Sequence, residues 1–187
     1  MRVTKRIMVL TGSPNKDGLT AACGNAAAAG IAGAGLEVNR VDLNALKIAR
    51  CSACGTGYGP CRTEHRCQVE DDFQDVHKRI LECEGFVLVT PVYWGDMSES
   101  VKAFVDRLRR NEASKRDESG LKGKPCIGVA AAGGSGNGTI TCLLNMQQFL
   151  NHVRADIFDL ITITRKSRDY KLNAVRCAAE AMARLLS

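Results

Sequence analysis

Ile7-Met8-Val9-Leu10-Thr11-Gly12-Ser13-Pro14-Asn15-Lys16-Asp17-Gly18-Leu19-Thr20 is the stretch that decides the fold. Its first four residues are continuously apolar, the signature of a strand covered on both faces. The next ten are rich in glycine and hydroxyl side chains, and an Ala-rich run from Ala21 to Ala34 reads as a helix. A tight loop joining a first strand to a first helix is where α/β proteins hold phosphate. The helix N-terminus offers unpaired N–H groups and a partial positive charge, and hydroxyls add donors. The loop contains neither G-x-x-x-x-G-K-[ST] nor G-x-G-x-x-G. A phosphate loop of neither kind points toward a mononucleotide such as FMN.

Working outward, strand-like and helix-like segments alternate five times. The expected strands are Lys5–Leu10, Glu37–Leu43, Gly85–Thr90, Pro125–Ala131 and Ile157–Thr164. The expected helices are Leu19–Ala34, Asp71–Cys83, Ser98–Arg110, Thr139–Val153 and Tyr170–Leu186. In the third, Val101, Phe104, Val105 and Leu108 draw an apolar stripe at i, i+3, i+4 and i+7. Five βα units imply a doubly wound, three-layer flavodoxin-like α/β fold with a five-stranded parallel sheet in the order 2-1-3-4-5. Ligands then sit beyond the carboxyl ends of strands 1 and 3. Residues 1–187 read as one domain, with a cysteine-rich insertion at 51–67.

That topology brings three loops to one site. The second, Pro91-Val92-Tyr93-Trp94-Gly95-Asp96-Met97, holds the only Trp of the chain. Aromatic residues after a buried strand can line a flat ring, or cap the sheet edge. The third, Gly133-Gly134-Ser135-Gly136-Asn137-Gly138, has too little side chain to pack and suits close backbone approach to a ligand, or a flexible turn.

These loops together resemble the flavodoxin-like NAD(P)H-dependent FMN reductase family and, within it, the iron–sulfur flavoproteins. The residues that carry the resemblance are Gly12-Ser13-Pro14 with Gly18 and Thr20, then Pro91-Val92-Tyr93-Trp94, then Lys102-Ala103-Phe104-Val105-Asp106-Arg107. It extends from residue 6 to about residue 150. It implies that Ser13, Thr20 and backbone N–H groups take the FMN phosphate, with Asn15, Lys16, Gly18 and Leu19 in the same loop. Asn15 stands where the family has Arg, with Lys16 beside it, and Leu19 stands where the family has Asn. The resemblance further implies that Pro91, Val92, Tyr93, Trp94, Gly95 and Met97 lie along the ribityl chain and ring, and that Gly133, Gly134 and Ser135 close over it. NAD(P)H is the implied electron donor. A quinone, free flavin, another small molecule or a redox protein is the acceptor. The flavin carries the chemistry, so no catalytic side chain is expected. A homodimer or homotetramer is implied, with the Tyr93-Trp94 pair and the polar stretch Asn111–Lys124 as its contacts.

Cys51, Cys54, Cys61 and Cys67 follow the spacing C-x2-C-x6-C-x5-C, with Gly55, Gly57, Gly59 and Pro60 between them. Four thiolates in such a loop suit a [4Fe–4S] cluster or a zinc ion, or the loop is a set of reduced thiols. In the iron–sulfur flavoproteins the pattern is C-x2-C-x2-C with a fourth Cys a few residues on, so Gly57 here stands at the third position and Cys61 follows four residues later. Cys23, Cys83, Cys126, Cys142 and Cys177 read as core residues. No cysteine has the C-x5-R of a thiol phosphatase. His65, His77 and His152 are scattered and read as surface or capping residues, His65 lying inside the cysteine loop.

Composition bounds the remaining choices. Hydrophobic residues are 45% of 187, an ordinary globular share. No apolar run reaches the ~18 residues of a membrane span, and no secretory leader pattern opens the chain, so a cytoplasmic location with mostly reduced or metal-bound cysteines is expected. The net charge of +6 owes much to Arg107–Lys124 and to Arg165-Lys166-Ser167-Arg168. These read as solvated helix ends and loops, or as an attraction for an anionic substrate such as a nicotinamide dinucleotide. Nucleic-acid binding is disfavoured, because no aromatic residues interleave with these charges.

Overall fold

The computed structural model describes residues 5–187; the first four residues, on which the leader expectation partly rests, lie outside the described part. In chain order the elements are β1 (Arg6–Thr11), α1 (Leu19–Gly33), β2 (Glu37–Asp42), the single turn α2 (Cys54–Gly57), α3 (Phe73–Glu82), β3 (Gly85–Tyr93), β4 (Asp96–Met97), α4 (Glu99–Glu112), β5 (Pro125–Ala132), α5 (Thr139–His152), β6 (Asp156–Thr164) and α6 (Arg168–Leu186). The long strands form one parallel sheet in the order β2-β1-β3-β5-β6. Counted among the parallel strands alone, this is 2-1-3-4-5.

The sheet nevertheless has six strands, not five. The sixth, β4, folds back antiparallel on the end of β3, pairing Val92 with Met97 and Tyr93 with Asp96. Its two-residue turn is Trp94-Gly95, with φ of +50° and +80°. Two consecutive positive φ values are what a tight hairpin matching the strand twist demands. A Trp in the first of these positions is not a turn signal, so the hairpin is invisible to pattern reading.

The continuous apolar runs have a simple cause. Alternation along β1 sends Met8 and Leu10 into a core shared with α3, α4 and α5, and Ile7 and Val9 into a second core under α1 and α6. Along β3, Phe86 and Leu88 face the first core and Val87 and Val89 the second. Both faces are covered, so both side-chain sets must be apolar. The carboxyl ends of β1, β3 and β5 therefore emerge together at one edge, between two helical layers.

Candidate functional site

The first loop is pinned by glycine. Gly12 donates its N–H to Val89 O at 3.1 Å, and its carbonyl accepts from Ser98 Oγ at 2.9 Å. A Cβ on Gly12 would sit 2.1 Å from Val101 Cγ2 and 2.9 Å from Ser98 Oγ, so the end of β1 is pressed against the start of α4. Ser98 begins α4 without capping it through its side chain, which is committed to Gly12 instead. Beyond Gly12 the loop bonds to itself. Asn15 N–H donates to Ser13 Oγ at 3.2 Å, and Asp17 N–H donates to Asn15 Oδ1 at 3.0 Å. No side chain caps α1, whose N-cap is Gly18. Its first-turn N–H groups are thus without a side-chain acceptor, the condition a phosphate would relieve.

The second and third loops touch each other. A Cβ on Gly138 would meet Gly95 Cα at 2.7 Å, and Gly138 has φ of +77°. Together they line an open cleft of about 610 Å³ that includes Val92, Trp94, Gly95, Ala132, Gly134, Ser135 and Thr141. A Cβ on Gly133 or Gly134 would meet nothing within 4 Å, so their backbone faces open space. Trp94 is fully exposed, at 106% of its reference area, while held at positive φ. A bulky side chain that is both strained and unpacked is a mark of a functional surface.

Not every expected residue reaches this cleft. Ser13, Asn15 and Lys16 line a separate cleft of about 320 Å³ over the ends of β1 and β2, with Asn25, Arg40 and Asp42. Arg40 Nη2 there donates to Asn25 Oδ1 at 2.5 Å. Leu19 and Thr20 are buried, Leu19 in the core beneath α1. Met97 is buried and borders a third cleft with Lys102, Arg109, Phe149 and His152. Pro91 precedes the hairpin and Tyr93 is paired within it, and Gly133 and Gly18 border the loops, none of the four lining either cleft.

The cysteine loop is a second, different site. Cys51, Cys54, Cys61 and Cys67 are half-buried and all line one small, partly open cavity of about 20 Å³. Among the described residues no three His, Cys, Asp or Glu side chains converge into a metal-holding group. The floor of the cavity is α4, through Arg107, Arg110 and Asn111. Arg107 Nη1 donates to Ala49 O at 3.1 Å and to Asp71 Oδ2 at 2.6 Å, and Nη2 to Val69 O at 2.7 Å. Ala49 precedes the first cysteine and Val69 follows the last, so one guanidinium closes the loop at its base. Burial acts to raise the Asp71 carboxyl, but the hydrogen bonds from Arg107, Ala49 and Phe73 outweigh it and hold it below the usual carboxylate range. Arg110 Nη1 donates to Gly57 O at 2.6 Å and its guanidinium lies over the Tyr58 ring. Farther along, Ser114 Oγ contacts His65 Nδ1 at 3.1 Å and Cys61 O at 3.4 Å.

Arg107 corrects the expectation of an exposed basic stretch. It is 1% exposed and stacks on Phe73 at 4.3 Å. Only its fixed place on the buried stripe of α4, next to Leu108, hinted at this. Asn111 and Glu112 are likewise buried within the subunit and unavailable as outer contacts. Glu112 accepts from His77 Nε2 and Lys115 Nζ, both at 2.7 Å, so His77 is the half-buried partner of a buried carboxylate and not a freely exposed surface residue. Of the five other cysteines, Cys23, Cys83, Cys126 and Cys142 are buried as expected, and Cys177 is exposed. Burial pushes the thiols of Cys23, Cys126 and Cys142 up to about 12, which makes them inert.

Comparison with known proteins agrees with this geometry. The chain is 27% identical over 129 residues to an iron–sulfur flavoprotein of Methanocaldococcus jannaschii, an alignment covering 69% of this chain and 65% of that one. It is 31% identical over 105 residues to an iron–sulfur flavoprotein of Methanosarcina thermophila, covering 56% and 50%. The chain thus spans between half and two thirds of the length of these relatives. Among solved structures, an NAD(P)H:quinone oxidoreductase from Methanothermobacter marburgensis superposes with a TM-score of 0.70 at 16% identity, over 99% of this chain and 97% of that one, which shows the shared fold. Among the described residues no helix is long and apolar enough to cross a membrane. The family model for NADPH-dependent FMN reductases matches residues 5–163, and the chain belongs to that family.

Proposed function

We propose that the protein is an FMN-dependent oxidoreductase that passes electrons from NAD(P)H to a small-molecule or protein acceptor, a quinone or flavin among the former. The observation that carries this reading is the contact between hairpin and third loop at Gly95 and Gly138, beside a first loop pinned at Gly12. It leaves a glycine-walled cleft open at the carboxyl edge of the sheet, large enough for a flat ring. FMN, when bound, supplies the chemistry, taking a hydride and releasing one or two electrons. The chain anchors and orients. The uncapped start of α1 offers N–H groups to the phosphate, the glycines of the third loop let backbone donors approach the ring, and Trp94 stands free to cover it. Lys16 and Arg40 lend positive charge to the neighbouring cleft over β1 and β2. The test is a titration of the native protein with FMN and with riboflavin. Tighter binding of FMN is expected, because the phosphate is the anchor, and equal binding would sink the assignment.

The cysteine cavity favours a second element of the same reading, a [4Fe–4S] cluster that relays electrons. Four half-buried thiols line one cavity floored by two arginines, a donor type and charge of the kind an anionic thiolate-bound cluster needs, although no three of them converge among the described residues. Iron and acid-labile sulfide in anaerobically prepared protein test it. Zinc without sulfide, or four free thiols, would replace it. A homodimer or homotetramer in the cytoplasm is the assembly that accords with the exposed Tyr93-Trp94 pair, and sedimentation of the FMN-loaded protein at micromolar concentration checks it.

A further inference from the structure

Arg165-Lys166-Ser167-Arg168-Asp169-Tyr170-Lys171 sets four cations against one acid within seven residues. The two arginines farther along α6, Arg176 and Arg184, are both held by Glu180. Arg165, Lys166 and Arg168 are exposed and hold no carboxylate among the described residues, and Lys171 has the exposed Tyr170 ring, 6.0 Å from its Nζ. Cations crowded without counter-ions repel one another, and a bound anion relieves them.

The fold sets this patch beside the flavin cleft. Gly136 lines that cleft, a Cβ on it would lie 3.2 Å from Thr164 Cγ2, and Arg165 is the next residue. On the other side lies the start of α1. Helices α1 and α6 pack closely at Gly30, where a Cβ would be 2.2 Å from Arg176 O. Both helices connect parallel strands and run in the same direction. About two turns back from that contact, α1 has Cys23 and α6 has Arg168. Burial raises the Cys23 thiol, and the charge of Arg168 acts against it, as this proximity requires. Ser167 Oγ is turned back to accept from the Thr164 N–H at 3.0 Å, so no side chain caps α6 and its positive end adds to the patch.

We infer that Arg165, Lys166 and Arg168 form the subsite for the 2′-phosphate of the electron donor, and that the protein therefore prefers NADPH to NADH. This rests on the oxidoreductase reading above and deepens it by choosing between the two nucleotides. They differ by that one phosphomonoester, which carries about −1.5 to −2 charges at pH 7. Guanidinium groups meet phosphate oxygens with paired N–H donors. With the nicotinamide on the flavin, the adenosine half must leave the cleft, and the exit over the third loop leads to Arg165. The other cations near the first loop are less free. Arg40 is engaged with Asn25, and it shares its cleft with Asp42.

The experiment uses the full-length FMN-loaded protein. Calorimetric titration compares adenosine 2′,5′-bisphosphate with adenosine 5′-monophosphate. Anaerobic stopped-flow compares reduction of the bound flavin by NADPH and by NADH. The native protein is expected to bind the bisphosphate about tenfold tighter or more. In the triple variant Arg165→Gln, Lys166→Gln, Arg168→Gln that preference should vanish. Half-saturating NADPH should rise about tenfold there, with NADH changed by less than about twofold and the limiting reduction rate kept. A control triple, Lys5→Gln, Lys78→Gln, Arg184→Gln, removes the same charge from exposed side chains elsewhere and should keep the preference. If the patch triple does not fold, its three single replacements take its place, each lowering the preference part-way. No preference in the native protein, a preference that survives in the patch variants, or one lost equally in the control overturns the inference and leaves the oxidoreductase reading standing. Weakened FMN binding in the patch variants with the nucleotide preference unchanged overturns it too, and assigns the patch to the flavin phosphate. Native protein whose bound flavin is reduced by neither nucleotide overturns both.

Discussion

The two candidate sites lie on either end of α4 and are built by opposite means. At its N-terminus, Ser98 and Ser100 reach Gly12 in a region made of backbone, with glycines in close contact, self-bonded turns and a cleft of about 610 Å³ open to solvent. Toward its C-terminus, Arg107 and Arg110 grip the cysteine loop around a cavity of about 20 Å³, and Ser114, just past the helix, holds the loop from outside. A backbone cradle open to water suits a large ligand that arrives ready-made and can leave. A small cavity clamped by long side chains suits an occupant assembled in place. The difference predicts that the two sites fail independently, and each experiment below can break that claim.

The largest effect is expected behind the cysteine loop. Glu112 is fully buried and accepts from His77, Lys115, Ser119 and the Gly120 N–H. Burial acts to raise its carboxyl, but the hydrogen bonds from His77, Lys115 and Ser119 outweigh it and bring it from 4.5 down to about 2. A depressed carboxylate stabilises the fold fully above its unfolded value and loses that contribution as pH falls through the folded one. Between pH ~4.5 and ~2 the native protein should lose about 3 kcal/mol through this group. Glu112→Gln should cost about as much at pH 7, by leaving Lys115 without its anion, and should flatten that part of the pH dependence. Urea unfolding of both proteins at stepped pH measures it. FMN affinity at pH 7 should be unchanged in Glu112→Gln; a parallel loss would show that α4 couples the two sites.

This contrast also explains what could be read from the sequence. The sheet and its order were legible because both faces of β1, β3 and β5 are covered, which forces continuous apolar runs such as Ile7–Leu10. The three loops were legible because glycine is conspicuous where backbone must approach closely, as at Gly12. The hairpin was not, because Trp94 occupies a positive-φ position against its preference. Nor was the Arg107 clamp, because it joins residue 107 to residues 49, 69 and 71, a pairing with no local period. In sequence it looked like one more cation in a basic helix. Within the first loop, hydroxyl and amide residues suggested phosphate ligands, but Ser13 and Asn15 spend hydrogen bonds on the loop itself, and Leu19 belongs to the core. Sequence shows which residues carry donors, not which of those donors the fold has already used.

A smaller effect is expected at the cradle. In Gly12→Ala the added methyl would lie 2.1 Å from Val101 Cγ2, in a well-packed side chain that is fully buried. Relaxing that overlap moves β1 away from α4 and costs about 1–3 kcal/mol. FMN affinity should fall about tenfold or more, because the first loop moves with Gly12. Iron and sulfide content after anaerobic reconstitution should match the native protein. The first two quantities come from urea unfolding and flavin fluorescence quenching. Equal FMN affinity in the two proteins would mean that the pinning at Gly12 has no part in the cradle.

The smallest effect on stability, and the most selective one, is expected at Trp94. Its backbone sits at φ of +50° and its side chain is fully exposed. An L-residue pays about 1–2 kcal/mol to hold that conformation, and Trp94 recovers none of it by packing in the flavin-free chain. Trp94→Gly relieves the strain, while the added freedom of the unfolded chain takes back about 0.5–1 kcal/mol. The flavin-free variant should therefore be as stable as the native protein or more so, by at most about 1 kcal/mol. Removing the same indole should weaken FMN, because an exposed aromatic held at the lip of the cleft can return its strain by covering a ring. Stability and affinity then move in opposite directions, which no general loosening of the hairpin would produce. Thermal unfolding of the flavin-free proteins, set beside FMN titrations of the same preparations, separates the two. If the variant is less stable and binds FMN as well as before, Trp94 serves the hairpin and not the ligand.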